Sequence, residues 1–166
     1  ITPFARSLGL ADITGIELAD EKGGLLPTPA WKKERTGEPW YQGDSFINAI
    51  GQGFVLVSPI QAAQMIGVVA NGGTIYKPQI LKWTRDRVTG KEQSFTSPGK
   101  RKITIEQDAL EAVRRALLGV TSEEGGTAHG AATPLATVAG KTGTAQVVAQ
   151  KVAGRKLSEF TEDHAW

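Results

Sequence analysis

The densest chemistry in the chain lies at Gly140-Lys141-Thr142-Gly143-Thr144. Lys141 carries a fixed positive charge, Thr142 and Thr144 carry hydroxyls suited to a carboxylate, and Gly143 lets a second backbone approach closely. On an extended edge such a row can bind the end of a peptide, with main-chain groups pairing along it and the ammonium and hydroxyls holding the carboxylate. Gly140-Lys141-Thr142 also invites a phosphate-loop reading, and that reading fails on spacing. The loop needs a glycine at position 135, where the chain has Leu135, and a helix afterwards, where Thr144 to Val148 favours a strand. Gly51-Gln52-Gly53 begins like a dinucleotide fingerprint, but Leu56 stands at the third glycine position. Taken alone, Lys141 and its two Thr neighbours more commonly mean an ordinary solvated strand.

A nucleophile is harder to find. The one literal Ser-x-x-Lys is Ser97-Pro98-Gly99-Lys100, where Pro and Gly oppose the helix that would bring hydroxyl and amine together, so it reads as coincidence. The chain has no Cys, which removes disulfides, thiolate metal sites and a Cys nucleophile. His129 follows a Gly-Thr-Ala turn and reads as structural, and His164 lies near the end of the chain. Without convergent carboxylates, neither a metal nor another cofactor is expected.

These residues need elements to hold them. Ile1 to Leu10 reads as the end of a helix, with Phe4 and Leu8 on one face and Gly9 as its stop; Thr14 to Leu18 then reads as a short extended piece. Thr28 caps a short helix with Pro29 at its first position, and Thr36 to Gly53 is expected to be irregular. Ser58-Pro59-Ile60-Gln61 is a capping box, and the apolar residues from Ile60 to Ala70 predict a helix buried on most sides, ended by Asn71-Gly72-Gly73. Thr74 to Lys82 reads as extended, with a hairpin turning at Thr89-Gly90. Thr104, with Gln107 at N3, predicts a second capped helix, amphipathic and closed by Gly119. Leu135 to Val148 is dense in β-branched residues and predicts the strand that bears Lys141; Gln150 to Asp163 reads as a loop before a new element at His164 to Trp166.

Composition sets outer bounds. With 166 residues, 40% apolar and 22% charged, the chain suits a globular domain able to bury a real core. Nineteen basic against 17 acidic residues give +2, too weak a field to imply a nucleic-acid or anionic-membrane partner. The longest apolar stretch, Ala62 to Ala70, is short and broken by Gln64, so no bilayer-spanning segment is expected among these residues. The chain begins at Ile1 and ends at Trp166 on an apolar residue that reads as the start of a strand; it is expected to be part of a longer polypeptide, with any signal or anchor upstream.

Several motifs, in one order, carry a resemblance. They are Thr14-Gly15-Ile16-Glu17-Leu18, Trp40-Tyr41-Gln42-Gly43-Asp44, Gly51-Gln52-Gly53, Ser58-Pro59-Ile60-Gln61, Ala70-Asn71-Gly72-Gly73 with Pro78, Gly126-Thr127-Ala128-His129, and Gly140-Lys141-Thr142-Gly143-Thr144-Ala145-Gln146. Together they resemble the transpeptidase domain of class B penicillin-binding proteins, most closely the elongation-type penicillin-binding protein 2 group, over nearly the whole chain. The Lys-Thr-Gly triplet is one of the family's three signatures. Apart from the coincidental Ser97-Pro98-Gly99-Lys100, its Ser-x-x-Lys and Ser-x-Asn motifs do not occur here and are expected before Ile1.

The resemblance implies an α+β fold of the penicillin-binding-protein and serine β-lactamase type, of which residues 1–166 would be a part: a helical region with part of an antiparallel sheet, the remaining catalytic part, strands and helix lying outside. It implies a peptidoglycan D,D-transpeptidase that forms a serine acyl-enzyme and is acylated by β-lactams, with Lys141 and Thr144 catalytic and Lys141, Thr142, Gly143, Thr144 and Gln146 binding substrate. Implied partners are the peptidoglycan stem peptide, the rest of its own polypeptide and a cell-wall glycosyltransferase; the implied location is the periplasmic face of the bacterial inner membrane. A serine β-lactamase or D,D-carboxypeptidase, which passes the acyl group to water, and a penicillin-sensing receptor domain share the Lys-Thr-Gly strand and remain alternatives.

Overall fold

Pro59 to Asn71 forms the helix that organises the first half of the chain. In the computed structural model, which describes residues 1–96, 99–145 and 164–165, it is the fourth of five α-helices: α1 Thr2–Ser7, α2 Pro29–Thr36, α3 Gln42–Ala49, α4 Pro59–Asn71 and α5 Gln107–Ser122. The Ser58 hydroxyl accepts the Gln61 N–H at 3.4 Å, and Gln61 Oε1 accepts the Ser58 N–H at 3.1 Å, the predicted reciprocal cap. Gly72, at φ +87°, ends the helix in the left-handed conformation. Asn71 then exchanges two hydrogen bonds with the Thr74 backbone, at 2.6 and 2.7 Å, and turns the chain into β1 Thr74–Tyr76.

β1 pairs antiparallel with β4 Lys100–Lys102, in the register Ile75 opposite Arg101. Between them, β2 Trp83–Arg85 and β3 Glu92–Ser94 form the predicted hairpin. Its turn is shaped by Asp86, whose carboxylate accepts the Val88 and Thr89 N–H groups at 2.9 and 2.6 Å.

Gln61 is the hub of this region. It is 0% exposed, and its Nε2 donates to the carbonyls of Asp12 at 2.6 Å and Gly23 at 2.8 Å, so one buried amide ties the start of α4 to two distant loops. Gly24 must be glycine there: its φ is +78° and a Cβ would sit 2.3 Å from the Leu56 carbonyl oxygen. Leu25 and Leu56 exchange backbone hydrogen bonds across this contact. Gln64, a turn further on, donates to the Tyr76 carbonyl at 2.7 Å and joins α4 to β1.

Several elements depart from the sequence expectations. Thr14 to Leu18 forms no strand; its residues wrap acidic side chains instead, with Glu21 accepting the Thr14 hydroxyl at 2.6 Å and Glu17 accepting the Ile80 and Leu81 N–H groups at 3.1 Å each. Thr36 to Gly53 is not wholly irregular, because α3 starts at Gln42, where Asp44 at N3 accepts the Tyr41 N–H at 2.7 Å. The last long helix starts two residues later than the Thr104 cap predicts. Ile103 is buried and its N–H donates to the Gly73 carbonyl at 2.7 Å, which keeps the chain extended until Glu106. Nor does Gly119 close α5, which runs on to Ser122.

Contacts divide the chain into two units, Ile1–Ile105 and Glu106–Trp166. In the first, Leu26, Val68 and Ile103 are buried; in the second, Leu110 is. Pro27 is fully buried as well, and with so few buried apolar side chains the described residues do not by themselves close the sizeable core that the composition suits. α4 in particular is not covered on most sides: Val68 is 1% exposed but Ile66 is 40% exposed. The apolar pattern is present, and the faces it defines are only partly covered by one another.

Candidate active site

The second unit holds the predicted site residues. α5 ends in a tight turn: the Ala128 N–H donates to the Val120 carbonyl at 3.0 Å, and the 3₁₀ turn His129–Ala131 follows. Gly126 lies so close beneath the helix end that a Cβ would be 2.4 Å from the Val120 carbonyl oxygen. The segment leading to Lys141 is tied to the same helix. Gly140 donates its N–H to the Leu117 carbonyl at 3.0 Å, and the buried Thr121 hydroxyl reaches the carbonyls of Leu118 and Val138. These anchors account for the extra turn beyond Gly119, since they offset the ordinary cost of a glycine inside a helix, about 1 kcal/mol.

The strand predicted from Leu135 to Val148 is much shorter among the described residues. A single bridge joins Thr133 and Ala136, residues 137–143 are irregular, and only β5 Thr144–Ala145 is strand. The Val138 carbonyl and the Gly140 N–H bond α5, and the Thr142 hydroxyl meets Thr127 in the turn that follows it, so these groups serve the helix rather than a ladder. β5 pairs antiparallel with β6 His164–Ala165, with Thr144 opposite Ala165 and Ala145 opposite His164, as the element predicted at His164 to Trp166 requires.

Lys141, Thr142 and Gly143 therefore lie in the exposed approach to β5, and Thr144 is its first residue. Lys141 Nζ donates to the Thr142 carbonyl at 2.7 Å, using one of its three N–H donors within its own segment. The hydroxyls of Thr142 and Thr127 lie 3.1 Å apart. Thr127 belongs to the Gly-Thr-Ala-His motif but is not among the predicted site residues. No local pattern announces this contact; two hydroxyl-bearing motifs 15 residues apart are the signal that points to it. Gln146 and the first two residues of the coincidental Ser-x-x-Lys, Ser97 and Pro98, lie outside the described residues.

The electrostatics of the first unit are those of a scaffold. Lys32 is only 4% exposed; it donates to Asp44 at 2.7 Å and sits 4.5 Å from the centre of the Tyr41 ring, clamping α2 to α3. Lys32 and the Tyr41 N–H hold the Asp44 carboxyl below its usual range. Backbone N–H groups of Leu81 and Ile80 do the same for Glu17, and the Thr89 N–H and hydroxyl do so for Asp86. At Glu21 desolvation pushes upward, but the hydrogen bonds from Thr14, Gly15 and Ile16 outweigh it and the net shift is downward. A recess of about 250 Å³ in this unit, lined by Thr14, Gln64, Tyr76, Lys77 and Arg101 among others, contains none of the predicted site residues.

A helical scaffold, short antiparallel pairs and a Lys-Thr-Gly segment entering a strand define the class of the protein, and similarity to known proteins gives the same answer. A family model described as the penicillin binding protein transpeptidase domain matches residues 2–166, and the chain belongs to that family. Its α+β fold is shared by solved members. The chain is 34% identical over 171 aligned residues to the peptidoglycan D,D-transpeptidase MrdA of Escherichia coli K12, an alignment covering 99% of this chain and 26% of that protein. It also matches penicillin-binding protein 2 of Helicobacter pylori, solved in complex with MreC, at 29% identity and a TM-score of 0.74, over 97% of this chain and 27% of that one. Penicillin-binding protein 2 of Pseudomonas aeruginosa, in complex with WCK 5153, matches at 30% identity and a TM-score of 0.73, over 87% of this chain and 32% of that one. The resemblance to the penicillin-binding protein 2 group is thus borne out, and the chain spans about a quarter of the length of the curated relatives it matches.

Proposed function

We propose that the chain forms part of a peptidoglycan D,D-transpeptidase and supplies the strand along which the substrate peptide lies. The observation that carries this reading is the family match across residues 2–166, with Lys141-Thr142-Gly143 at the entry to the paired β5. In the reaction a serine supplied from outside these residues attacks the carbonyl between the two terminal D-Ala residues of a stem peptide. Its proton passes through a basic network to the leaving nitrogen, the C–N bond breaks, and D-Ala leaves. An amine of a neighbouring stem peptide then attacks the acyl-enzyme ester, forming the cross-link and returning the serine.

Within this scheme Lys141 attracts the substrate carboxylate and supports the proton network. The hydroxyls of Thr142 and Thr144 bind that carboxylate, Gly143 admits the peptide backbone, and the Thr144 N–H is an oxyanion donor, a contribution typically worth about 3 to 4 kcal/mol of barrier. Gln146 also binds the substrate. The exposure of Lys141, Thr142, Gly143 and Thr144 supports these roles, since the row is open to a ligand.

No helix among the described residues is long and apolar enough to cross a membrane. The proposed setting is the periplasmic face of the bacterial inner membrane, with an anchor elsewhere in the polypeptide. Proposed partners are a cell-wall glycosyltransferase of the elongation machinery and the remainder of the same polypeptide. The H. pylori relative's complex with MreC supports a partner-bound setting. The test is acylation by a fluorescent penicillin of a complete transpeptidase domain carrying this sequence. Stable labelling at the upstream serine, with cross-linking of a stem-peptide pair, supports the proposal; rapid hydrolysis of the acyl-enzyme without cross-linking would assign the chain to the β-lactamase or carboxypeptidase class.

A further inference from the structure

The pairing of Thr127 with Thr142 has a directional consequence. A hydroxyl owns one hydrogen and two acceptor lone pairs, so two hydroxyls 3.1 Å apart share one hydrogen bond in one of two senses. Either Thr142 donates to Thr127, and its hydrogen is spent, or Thr127 donates to Thr142, and the Thr142 hydrogen remains available.

We propose that Thr127 is a positioning residue that donates to Thr142 Oγ1 and thereby aims the Thr142 hydroxyl hydrogen at the substrate carboxylate. The inference deepens the transpeptidase reading and rests on it. An anion beside Thr142 selects the sense of the bond, because only Thr142 acting as donor toward the carboxylate lowers the energy of the chain. Polarisation then runs in one direction, from Thr127 through Thr142 to the carboxylate, and each bond strengthens the next.

The backbone makes this pairing persistent although both side chains are exposed. An isolated pair of surface hydroxyls would lose most of its contact to water. Here both segments are fastened to one helix: the Ala128 N–H on the Val120 carbonyl holds the Thr127 side, and the Gly140 N–H on the Leu117 carbonyl holds the Thr142 side. The close packing of Gly126 against the helix end removes slack from the first segment, and the Thr121 hydroxyl on the Val138 carbonyl removes it from the second. The two hydroxyls meet because α5 sets both distances.

The experiment uses a complete transpeptidase domain carrying this sequence and compares acylation by benzylpenicillin with acylation by its methyl ester, which lacks the carboxylate. Thr127→Val keeps the shape and removes the donor; Thr127→Ser keeps the donor. The expected result is a loss of about five- to tenfold in acylation efficiency for Thr127→Val with benzylpenicillin, expressed in apparent affinity, and no difference from the unaltered domain with the ester. Thr127→Ser should recover most of the loss, and Thr127→Val combined with Thr142→Val should be no slower than Thr142→Val alone. Equal acylation by Thr127→Val and the unaltered domain, or an equal loss on both ligands, overturns the positioning role. Lys141→Ala is the control for the underlying reading: unimpaired acylation by that variant overturns the transpeptidase assignment of the site, whereas strong impairment beside a silent Thr127→Val removes only the present inference.

Discussion

At the scale of single residues, two side chains of similar prominence in the sequence have opposite duties. Lys141 is exposed and its ammonium donates to the neighbouring Thr142 carbonyl, so truncating it opens no cavity among the described residues. Lys141→Ala in a complete domain should slow penicillin acylation by about two orders of magnitude while moving the melting temperature by no more than about 2 °C. Stopped-flow acylation beside thermal unfolding checks both halves. Gln61 is the converse, a fully buried amide serving the Asp12 and Gly23 carbonyls and the Ser58 N–H. Gln61→Ala strands those groups and should destabilise the fold by about 2 to 4 kcal/mol, measured as a shift of the denaturant midpoint. A loss below 1 kcal/mol would show that water replaces the amide.

At the scale of elements, the ends of helices decide most of what can be measured. Ser58→Ala should cost about 1 kcal/mol through loss of the α4 cap, with acylation per folded molecule unchanged. A stable but inactive variant would move Ser58 from the scaffold to the site. The carboxylates that tie loops and helix starts act through pH. Asp44, Glu17, Glu21 and Asp86 all titrate lower in the folded chain than in the unfolded one, where carboxyls titrate near about 4. Their stabilisation is therefore complete above that value and is lost as pH falls through the depressed folded values. The melting temperature should be level from neutral pH to about 5 and fall below about 4, and Asp44→Asn should make that fall shallower. A variant with an unchanged acid limb would show that the Lys32–Asp44 clamp contributes nothing to it.

At the scale of the whole molecule, uncovered apolar surface is the dominant fact. Phe46 is 65%, Ile50 74% and Leu135 92% exposed, whereas few apolar side chains are buried among the described residues. Surface of this kind marks faces made to be covered. The 166 residues prepared alone should associate or bind a hydrophobic dye, and they should not be labelled covalently by a fluorescent penicillin. Light scattering that finds a monodisperse 17.6 kDa species without dye binding would contradict the first expectation. Labelling of any serine in the isolated chain, Ser97 above all, would contradict the second.

Features set within four or five residues were legible in the sequence: the caps at Thr28 and Ser58, the Gly72 stop and the hairpin at Thr89-Gly90. Each depends on a backbone conformation or a side chain bonding its near neighbours, and residue type alone decides that. The motif order also identified the family. What the sequence did not disclose was decided by partners far along the chain. α5 passes Gly119 because Leu117, Val120 and Thr121 anchor later segments, and its start is delayed because Ile103 bonds Gly73. The strand predicted from Leu135 is shortened by bonds to that same helix. Gln61 reads as a cap until two loops arrive at its amide, and Thr127 reads as a turn residue until α5 brings it to Thr142. Local propensities are worth tenths of a kcal/mol per residue, whereas satisfying a buried polar group is worth one or more, so tertiary contacts prevail wherever the two compete.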